Sequence, residues 1–497
     1  MIVERLIGTA VITIAFALGG CAVGPDFKPP GPPKDTGYTP EPLAPKTASA
    51  RTRGGEAQRF VSNRDIPGEW WTLFHSASLD RLVKRALQAN PDLDAAQRAL
   101  RQAEENVLAG EGALFPTAGA SFQAERERIT GAAFGQPSLH ATLSLVTPTL
   151  NISYAPDVFG GTRRQIESLA AQAEYQSFQL EATYLTLTSN VVVAAVQEAS
   201  LRSQIKATLD IIRDQSNELN LVRQKFVLGS ASRADVLTQE AQLAQTRATL
   251  PPLENQLGQT RNQLAALSGQ LPSRAVSETF DLDRLRLPQD LPLSLPSQLV
   301  EQRPDIRAAE AQLHSASAQI GVATANQLPQ FSISAALGTQ TTGFTNMFEP
   351  ATGIWSIAGG VTQTLFDAGT LLHKKRAAVA GFEQTVAQYR STVIKACQNV
   401  ADTLRALQSD ADALVAQTAA ERSAAASLQL ARSQYQLGAI DFLTLLNAQR
   451  TWQQARISLV QAEAARYTDT AALFQALGGG WWHRTDVAQN LPHEKQP

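Results

Sequence analysis

Long apolar runs, cysteine pairs and a large net charge are all missing from this sequence of 497 residues. Beyond residue 20 no run of 18 apolar residues occurs, so no helix is expected to cross a membrane. Only two cysteines occur, and Cys397 has no partner once Cys21 is set aside, which predicts no intramolecular disulfide. The formal net charge is −2 and Lys and Arg are scattered, so no nucleic-acid surface is indicated.

Motifs for catalysis and metal binding are missing too. The six histidines show no HExxH or other metal-ligand spacing, and no P-loop or GxSxG sequence occurs. We therefore predict no enzyme activity, no catalytic or metal site and no cofactor. Energy for any transport would have to come from a partner protein.

The N-terminal residues have the pattern of an export signal. Arg5 precedes an apolar run from Leu6 to Leu18, and Leu18-Gly19-Gly20-Cys21 resembles a bacterial lipobox. Residues 1–20 are predicted to be a signal peptide, with a covalent lipid on Cys21; an ordinary free or buried cysteine is the alternative. Residues 21–62 are rich in Pro and Gly and are expected to form a lipid-anchored tether.

The remainder of the chain is a tandem duplication. Asn90-Pro91-Asp92-Leu93 opens an amphipathic segment, and Arg303-Pro304-Asp305-Ile306 opens a matching one 213 residues later. Phe226-Val227-Leu228-Gly229 and Tyr435-Gln436-Leu437-Gly438 correspond at an offset of 209. We assign residues 63–270 to repeat 1, 271–302 to a connector, 303–480 to repeat 2 and 481–497 to a C-terminal tail.

Each repeat has the same predicted order of elements. A helix with Pro at its first position precedes a strand pair, at about residues 115–158 in repeat 1 and 330–366 in repeat 2. In repeat 1, charged residues 125–128 and a shift of the apolar phase near Pro148 predict a loop entry and a bulge. Glycine corners then lead into long helices without proline, to Leu228 and Leu437.

The helix that returns after each Leu-Gly turn carries a stripe with seven-residue spacing. Such spacing predicts side-by-side helix packing, and Pro251-Pro252 is expected to interrupt the first copy. A plain helical bundle is the alternative that the periodicity leaves open. The stripe residues are Val236, Leu243, Leu250, Leu257 and Leu264, then Leu445, Trp452, Leu459, Arg466 and Leu473.

These residues resemble the TolC-like outer-membrane efflux proteins, and among them the lipoprotein branch of NodT or OprM type. The resemblance is carried by CAVGPDFKPP near the N-terminus, the NPDL and RPDI openings, the two Leu-Gly turns, LTLLNAQR at 443–450 and the terminal ALGGGWW. It implies an α+β membrane protein that is a homotrimer. Each protomer would give four strands to a twelve-stranded β-barrel, which a twelve-helix periplasmic α-barrel continues.

The resemblance also implies a location in the outer membrane and two kinds of partner. A periplasmic adaptor protein would bind the tube and link it to an inner-membrane pump of the resistance-nodulation-division type. Barrel geometry supports the trimer independently. Four strands cannot close, and an eight-stranded barrel is filled by its own side chains, whereas three copies give twelve strands and an open lumen.

The residues that the resemblance implies for function lie near the two Leu-Gly turns. The adaptor-docking tips would be Leu228, Gly229, Leu437 and Gly438. The periplasmic aperture would be lined by Asp235, Tyr435, Thr444 and Asn447. Family members often have Asp where this chain has Asn447, and some have an acid where it has Thr444, so both residues weaken the case for an acidic ring. For Asp235 the alternative is a first-turn residue that stabilises a helix N-terminus.

The predicted function is an exit duct that passively conducts small toxic compounds or drugs. Two alternatives are a conduit for protein or polysaccharide secretion and a non-conducting coiled-coil lipoprotein scaffold. The sequence identifies neither the cargo nor the individual pump, nor does it assign a role to Cys397.

Overall fold

The computed structural model describes residues 22–62, 64–130, 135, 140–274, 276–347 and 349–484. The predicted signal peptide, Cys21 and residues 485–497 lie outside the described residues. The chain divides into two compact units, and each takes segments from both repeats. The sheet unit comprises residues 22–30, Ala99–Gln176 and Ala309–Tyr389, and the helix unit comprises Gly31–Arg98, Ser177–Ala308 and residues 390–484.

Helices make up most of the described chain. In order they are α1 Ala77–Ala89, α2 Pro91–Gly112, α3 Gly161–Val227, α4 Arg233–Ala248, α5 Leu250–Leu267, α6 Pro296–Gln302, α7 Pro304–Ala325, α8 Thr370–Gln436 and α9 Phe442–Ala476. The strands are β1 Arg59–Ser62, β2 Thr117–Thr130, β3 His140–Tyr154, β4 Asp290–Leu293, β5 Gln330–Thr339 and β6 Gly353–Thr362. None of the described helices is apolar over a length sufficient to span a membrane.

The two long helices follow from the absence of proline. Helices α3 and α8 each contain 67 residues, which at 1.5 Å per residue corresponds to about 100 Å. Helices α2 and α7 begin at Pro91 and Pro304, as predicted. The Asn90 side chain caps α2, because its Oδ1 accepts the backbone N–H of Asp92 at 2.9 Å.

The returning helices also follow the sequence pattern. In repeat 1 the helix is broken between α4 and α5 at Thr249, just before Pro251-Pro252, whereas α9 is unbroken over 35 residues. This confirms the predicted interruption. Leu243 and Leu264 of the seven-residue stripe are buried within the helix unit.

The sheet unit contains an antiparallel sheet with the strand order β2-β3-β5-β6. The predicted bulge and loop entry in repeat 1 are wrong. Pro148 pairs with Phe122 in a register that runs unbroken from Thr117 to Thr130, and charged residues 125–128 lie inside β2. A strand keeps its register here although its apolar phase shifts.

Pro148 instead interrupts the pairing on the other side of β3. Val146 exchanges two backbone hydrogen bonds with Thr341, of 2.8 and 3.0 Å. Two residues on, Pro148 faces β5 in the same way but has no N–H to donate. The continuous β3–β5 ladder therefore begins only at the pair Thr149–Gly338.

The two faces of this sheet differ in polarity. On the polar face the side chains of Ser121 and Thr149 share a hydrogen bond of 2.7 Å, and those of Thr117 and Ser153 share one of 2.8 Å. The other side, the apolar face, carries large exposed side chains that water would not favour. They are Phe122, Leu150, Ile152, Ile333, Leu337, Trp355, Ile357 and Val361.

A parallel pair of short strands, β1 and β4, joins the predicted tether to the connector, with Arg59 opposite Asp290. The adjoining segment is held by Arg466 of α9, which is 1% exposed and donates to Gln58 Oε1 at 2.8 Å. Gln58 in turn donates to the Pro288 carbonyl at 2.9 Å. The sequence pattern predicted neither these strands nor α1 and α6.

Two carboxyl groups of the helix unit make its stability depend on pH. Burial, followed by a hydrogen bond to Asp410 and the charge of Asp410, raises the pKa of Asp469 to about 7. The unfolded chain releases this proton near the ordinary value of 3.8, so the folded state binds more protons between these two values. Stability is therefore expected to fall as the pH rises from about 4 to about 7.

Asp469→Asn is accordingly expected to melt above the wild type at pH 8 and close to it at pH 4, measured by circular dichroism. Asp412→Asn, at an exposed position of α8, is the matched control and should leave the pH profile unchanged. A wild-type melting temperature that is constant between pH 4 and pH 8 would contradict the role of this carboxyl pair.

Candidate functional site at the Leu-Gly turns

The long helices α3 and α8 end in the same type of turn. Gly229 and Gly438 have φ angles of 78° and 74°, in the left-handed region that glycine favours. After each glycine the next N–H reaches back to the helix, from Ser230 to the Lys225 carbonyl at 2.8 Å and from Ala439 to the Gln434 carbonyl at 2.8 Å. The predicted left-handed glycine at the end of each helix is confirmed.

Both turns expose apolar side chains at their apex. Leu228 is 81% exposed and Leu437 is 84% exposed, and Val227 is exposed to the same degree as Leu228. Large apolar groups in water are a common feature of protein-binding surfaces. Binding of an adaptor at these tips stays a prediction.

Tyr435 belongs to a small buried cluster beside the second turn. Its ring contacts Phe442 at a centroid distance of 5.7 Å, in a cluster that also contains Val222 and Leu445. Lys225 of α3 places its Nζ 4.0 Å from the centroid of the Tyr435 ring and donates to the Tyr435 carbonyl at 3.3 Å. Lys225 thus joins the end of α3 to the end of α8.

Asp235 caps the helix that follows the first turn. The backbone N–H of Ser232 donates to Asp235 Oδ2 at 2.8 Å, and the backbone N–H of Asp235 donates to Ser232 Oγ at 3.1 Å. Burial, followed by the charges of Asp235 and Glu218, raises the pKa of Tyr435. The capping geometry accounts for Asp235 locally, and its place at an aperture stays a prediction.

Thr444 and Asn447 are exposed on the first turns of α9. The backbone N–H of Thr444 donates to Asp441 Oδ1 at 2.9 Å, and hydrogen bonding to Thr444 lowers the pKa of Asp441. Asp441 therefore places an ionised carboxylate near the second turn, although Thr444 and Asn447 are neutral.

Two of these residues, Lys225 and Asp441, were not singled out in the sequence. Asp441 follows Gly438 at the same spacing at which the cap Ser232 follows Gly229, so the capping pattern was a usable signal. A lysine near a helix C-terminus is ordinary, so no comparable signal pointed to Lys225.

A β-branched residue at the second turn is expected to strain it. No atom outside the adjoining backbone lies within 4 Å of a Cβ built at Gly438, so the penalty for Gly438→Val comes from the φ angle alone and amounts to about 1 kcal/mol or more. Adaptor cross-linking in cells should decrease for this variant. Gly438→Asn is the control, because Asn adopts this conformation more readily; normal cross-linking of Gly438→Val would remove the turn from the docking surface.

The residues next to Cys21 are held at the corner between β3 and α3. The backbone N–H of Val23 donates to the Phe159 carbonyl at 3.0 Å, and Arg164 binds Asp26 at 2.6 Å. The other cysteine, Cys397, is a half-buried free thiol whose pKa is raised by burial.

Within the described ranges, no group of three or more His, Cys, Asp or Glu residues is placed to hold a metal ion.

The sequence model of the outer membrane efflux proteins matches this chain twice, at residues 82–270 and at residues 295–479. The chain belongs to the outer membrane efflux protein family. The resemblance stated from the sequence is thereby confirmed. The family is one of transport proteins, and this efflux protein is an outer-membrane channel that forms the exit duct of a tripartite efflux system.

Individual relatives agree with this assignment. The efflux protein is 30% identical over 426 residues to the pyoverdine export outer membrane protein OpmQ of Pseudomonas aeruginosa, with 83% of this chain and 87% of that protein covered. It is 28% identical over 485 residues to the toluene efflux pump outer membrane protein TtgC of Pseudomonas putida, with 97% of each covered. The solved structure of the outer-membrane channel OprN superposes with a TM-score of 0.82 at 28% identity and covers 93% of this chain and all of that one.

Proposed function

We propose that three copies of this efflux protein form one twelve-stranded β-barrel, with a twelve-helix α-barrel on its periplasmic side, through which small toxic compounds leave the cell passively. The observation that carries this proposal is the open sheet of the sheet unit. In the described residues, β2 and β6 each have a neighbour on one side only. Free strand edges inside a membrane are costly, and identical neighbours in a closed ring remove them.

The polarity of the sheet supports the same arrangement. Its apolar face would contact lipid and its polar face would line the lumen, as in barrels that conduct solutes. The four strands contain 14, 15, 10 and 10 residues, which is enough for tilted strands that cross a bilayer.

The anchor and the partners are part of this proposal. Acylation of Cys21 would attach the chain to the inner leaflet of the outer membrane, and Val23 and Asp26 hold the residues after it at the sheet–helix corner. The exposed leucines Leu228 and Leu437 would contact the adaptor, which joins the duct to a pump of the resistance-nodulation-division type.

The cargo is proposed only as a class. The relatives named above are named for pyoverdine and for toluene, which share little chemistry. Related ducts that serve such different compounds leave selection to their pumps. We therefore assign small toxic compounds to the pore and no individual compound.

The test combines assembly with transport. Purified full-length protein should run as a trimer after cross-linking and conduct ions in planar bilayers, and deletion of its gene should raise sensitivity to toxic compounds. Unchanged sensitivity to a broad panel, together with a secretion defect, would point to a secretion conduit instead. A monomer without conductance, even after the aperture residue Tyr435 is replaced by Ala, would contradict the pore.

A further inference from the structure

The first turns of α8 carry several cations. Lys374 and Arg376 are exposed, and neither has an ionic partner among the described residues. Cations at this end of a helix oppose its dipole. Folding of the single chain therefore provides no reason for these charges.

The corresponding helix of repeat 1 differs. Arg163 at the start of α3 lies 3.3 Å from Asp157, and Arg164 is buried between Asp26 at 2.6 Å and Glu167 at 2.7 Å. Basic residues thus occur near both helix starts, but among the residues that the structure describes only the first set has ionic partners. The second set is left to water or to a partner outside the protomer.

An acidic surface of suitable shape lies on α2. Glu104 and Glu111 are exposed on one helix face, with Leu108, which is 59% exposed, between them. Glu105 is exposed beside Glu104 and lies 3.8 Å from Arg101. On α8 the same spacing places Arg376 between the exposed residues Leu372 and Val379. Helix α2 thus presents an apolar residue between two acids, and α8 presents a cation between two apolar residues.

The protomer itself shows how two such helices meet. Pairing of β3 with β5 brings α3, which follows β3, against α7, which precedes β5. Gln319 donates to Ser168 at 2.8 Å, and Ser168 shares a hydrogen bond of 2.8 Å with Ser315. Helix α8 follows the free strand β6 in the same way, and α2 precedes the free strand β2. When β6 pairs with β2 of the next copy, α8 consequently packs on that copy's α2.

The levels of the charged residues agree with this packing. At 1.5 Å per residue, Ser168 lies roughly 10 Å from the start of α3 and its partner Gln319 roughly 9 Å from the end of α7. Arg376 lies roughly 9 Å from the start of α8, and Glu104 and Glu105 lie roughly 10 to 12 Å from the end of α2. Arg376 and the two acids therefore come to nearly the same height, and Lys374, roughly 6 Å from the start of α8, lies within about one helical turn of Glu105.

We propose that Arg376 of α8 contacts Glu104 and Glu105 of α2 in the adjacent copy, with Lys374 on the opposite side of α8 adding positive charge nearby, and that this charge contact lets copies of the chain select one another in one register. The inference rests on the ring of copies proposed above. Charges of opposite sign across such an interface favour the correct pairing and penalise others.

Charge reversal on one side tests the contact. Lys374→Glu with Arg376→Glu is expected to lower the yield of cross-linked trimer at least tenfold, and so is Glu104→Lys with Glu105→Lys. Combining all four changes in one chain should restore the trimer, because every interface is again complementary. Reversal of two exposed cations on other helices, Lys206→Glu with Arg247→Glu, is the control and should leave the yield unchanged.

A second measurement mixes the two variant chains, one with the charges of α8 reversed and the other with the charges of α2 reversed. A ring of three copies always retains at least one interface between like charges, so mixing is expected to restore little, whereas an assembly of even number would recover fully. The charge contact would be overturned if either reversal left the yield of trimer unchanged, or if the variant with all four substitutions stayed dissociated. In both cases the wild-type channel would remain a trimer. A wild type without any trimer would overturn the proposed pore as well.

Discussion

Ile357→Arg is expected to abolish assembly of the channel in the outer membrane. Ile357 is 73% exposed in the middle of β6, on the apolar face of the sheet. An arginine at the lipid-facing midplane of a barrel costs about 2–4 kcal/mol, and a trimer incurs this cost in each of its three copies. The measurement is the amount of trimer in the outer-membrane fraction, together with the recovery of efflux in a deletion strain.

The next residue along the strand provides the control. Ser356 points to the polar face, where the lumen is proposed, so Ser356→Arg should assemble normally and change only conductance or ion preference. The two variants introduce the same charge at neighbouring positions of one strand. Normal assembly of Ile357→Arg combined with failure of Ser356→Arg would mean that the lumen and lipid faces have been exchanged.

Tyr435→Ala is expected to widen the periplasmic aperture and to raise single-channel conductance in planar bilayers. The ring is a large member of a small cluster, and removing a buried aromatic ring typically costs about 3–5 kcal/mol. The change also removes the cation–π contact between Lys225 and the ring, which is worth about 0.5–2 kcal/mol. The end of α8 would then be held less firmly against α3.

Tyr435→Phe separates the ring from the hydroxyl group. It keeps the packing and the contact with Lys225, so its conductance should remain close to that of the wild type. Lys225→Met keeps much of the aliphatic stem but removes the charge, and an intermediate conductance is expected. Equal conductance for the wild type and Tyr435→Ala would show that Tyr435 does not hold the aperture.

Local features of the fold were predictable because each depends on neighbouring residues. The lack of proline allowed α3 and α8 to run unbroken, and Pro251-Pro252 stopped α4. A glycine after each long helix supplied the left-handed turn, and the matched openings at Pro91 and Pro304 revealed the duplication. These signals located the Leu-Gly turns of the candidate site and placed Tyr435 beside the second one.

Contacts between distant parts of the chain were not predictable. Lys225 and Tyr435 meet only because the ends of α3 and α8 lie side by side, and no spacing in the sequence encodes that neighbour. Two further contacts also depend on the tertiary fold. Arg59 pairs with Asp290 across two strands, and Arg466 donates a hydrogen bond to Gln58. In β3 the apolar phase suggested a bulge, but pairing along the whole of β2 outweighed that local signal.

The sequence by itself determined the duplication, the long helices, the turns between them and membership of the efflux family, because these are properties of neighbouring residues and of repeated patterns. The tertiary structure decided the strand order, the continuous register across Pro148 and the division of the sheet into an apolar and a polar face. It also left Lys374 and Arg376 without ionic partners in the part of the protomer that the structure describes. The physical reason is that hydrogen-bonded ladders and charge pairs form between whichever surfaces the folded chain brings together, and short-range patterns do not specify those surfaces.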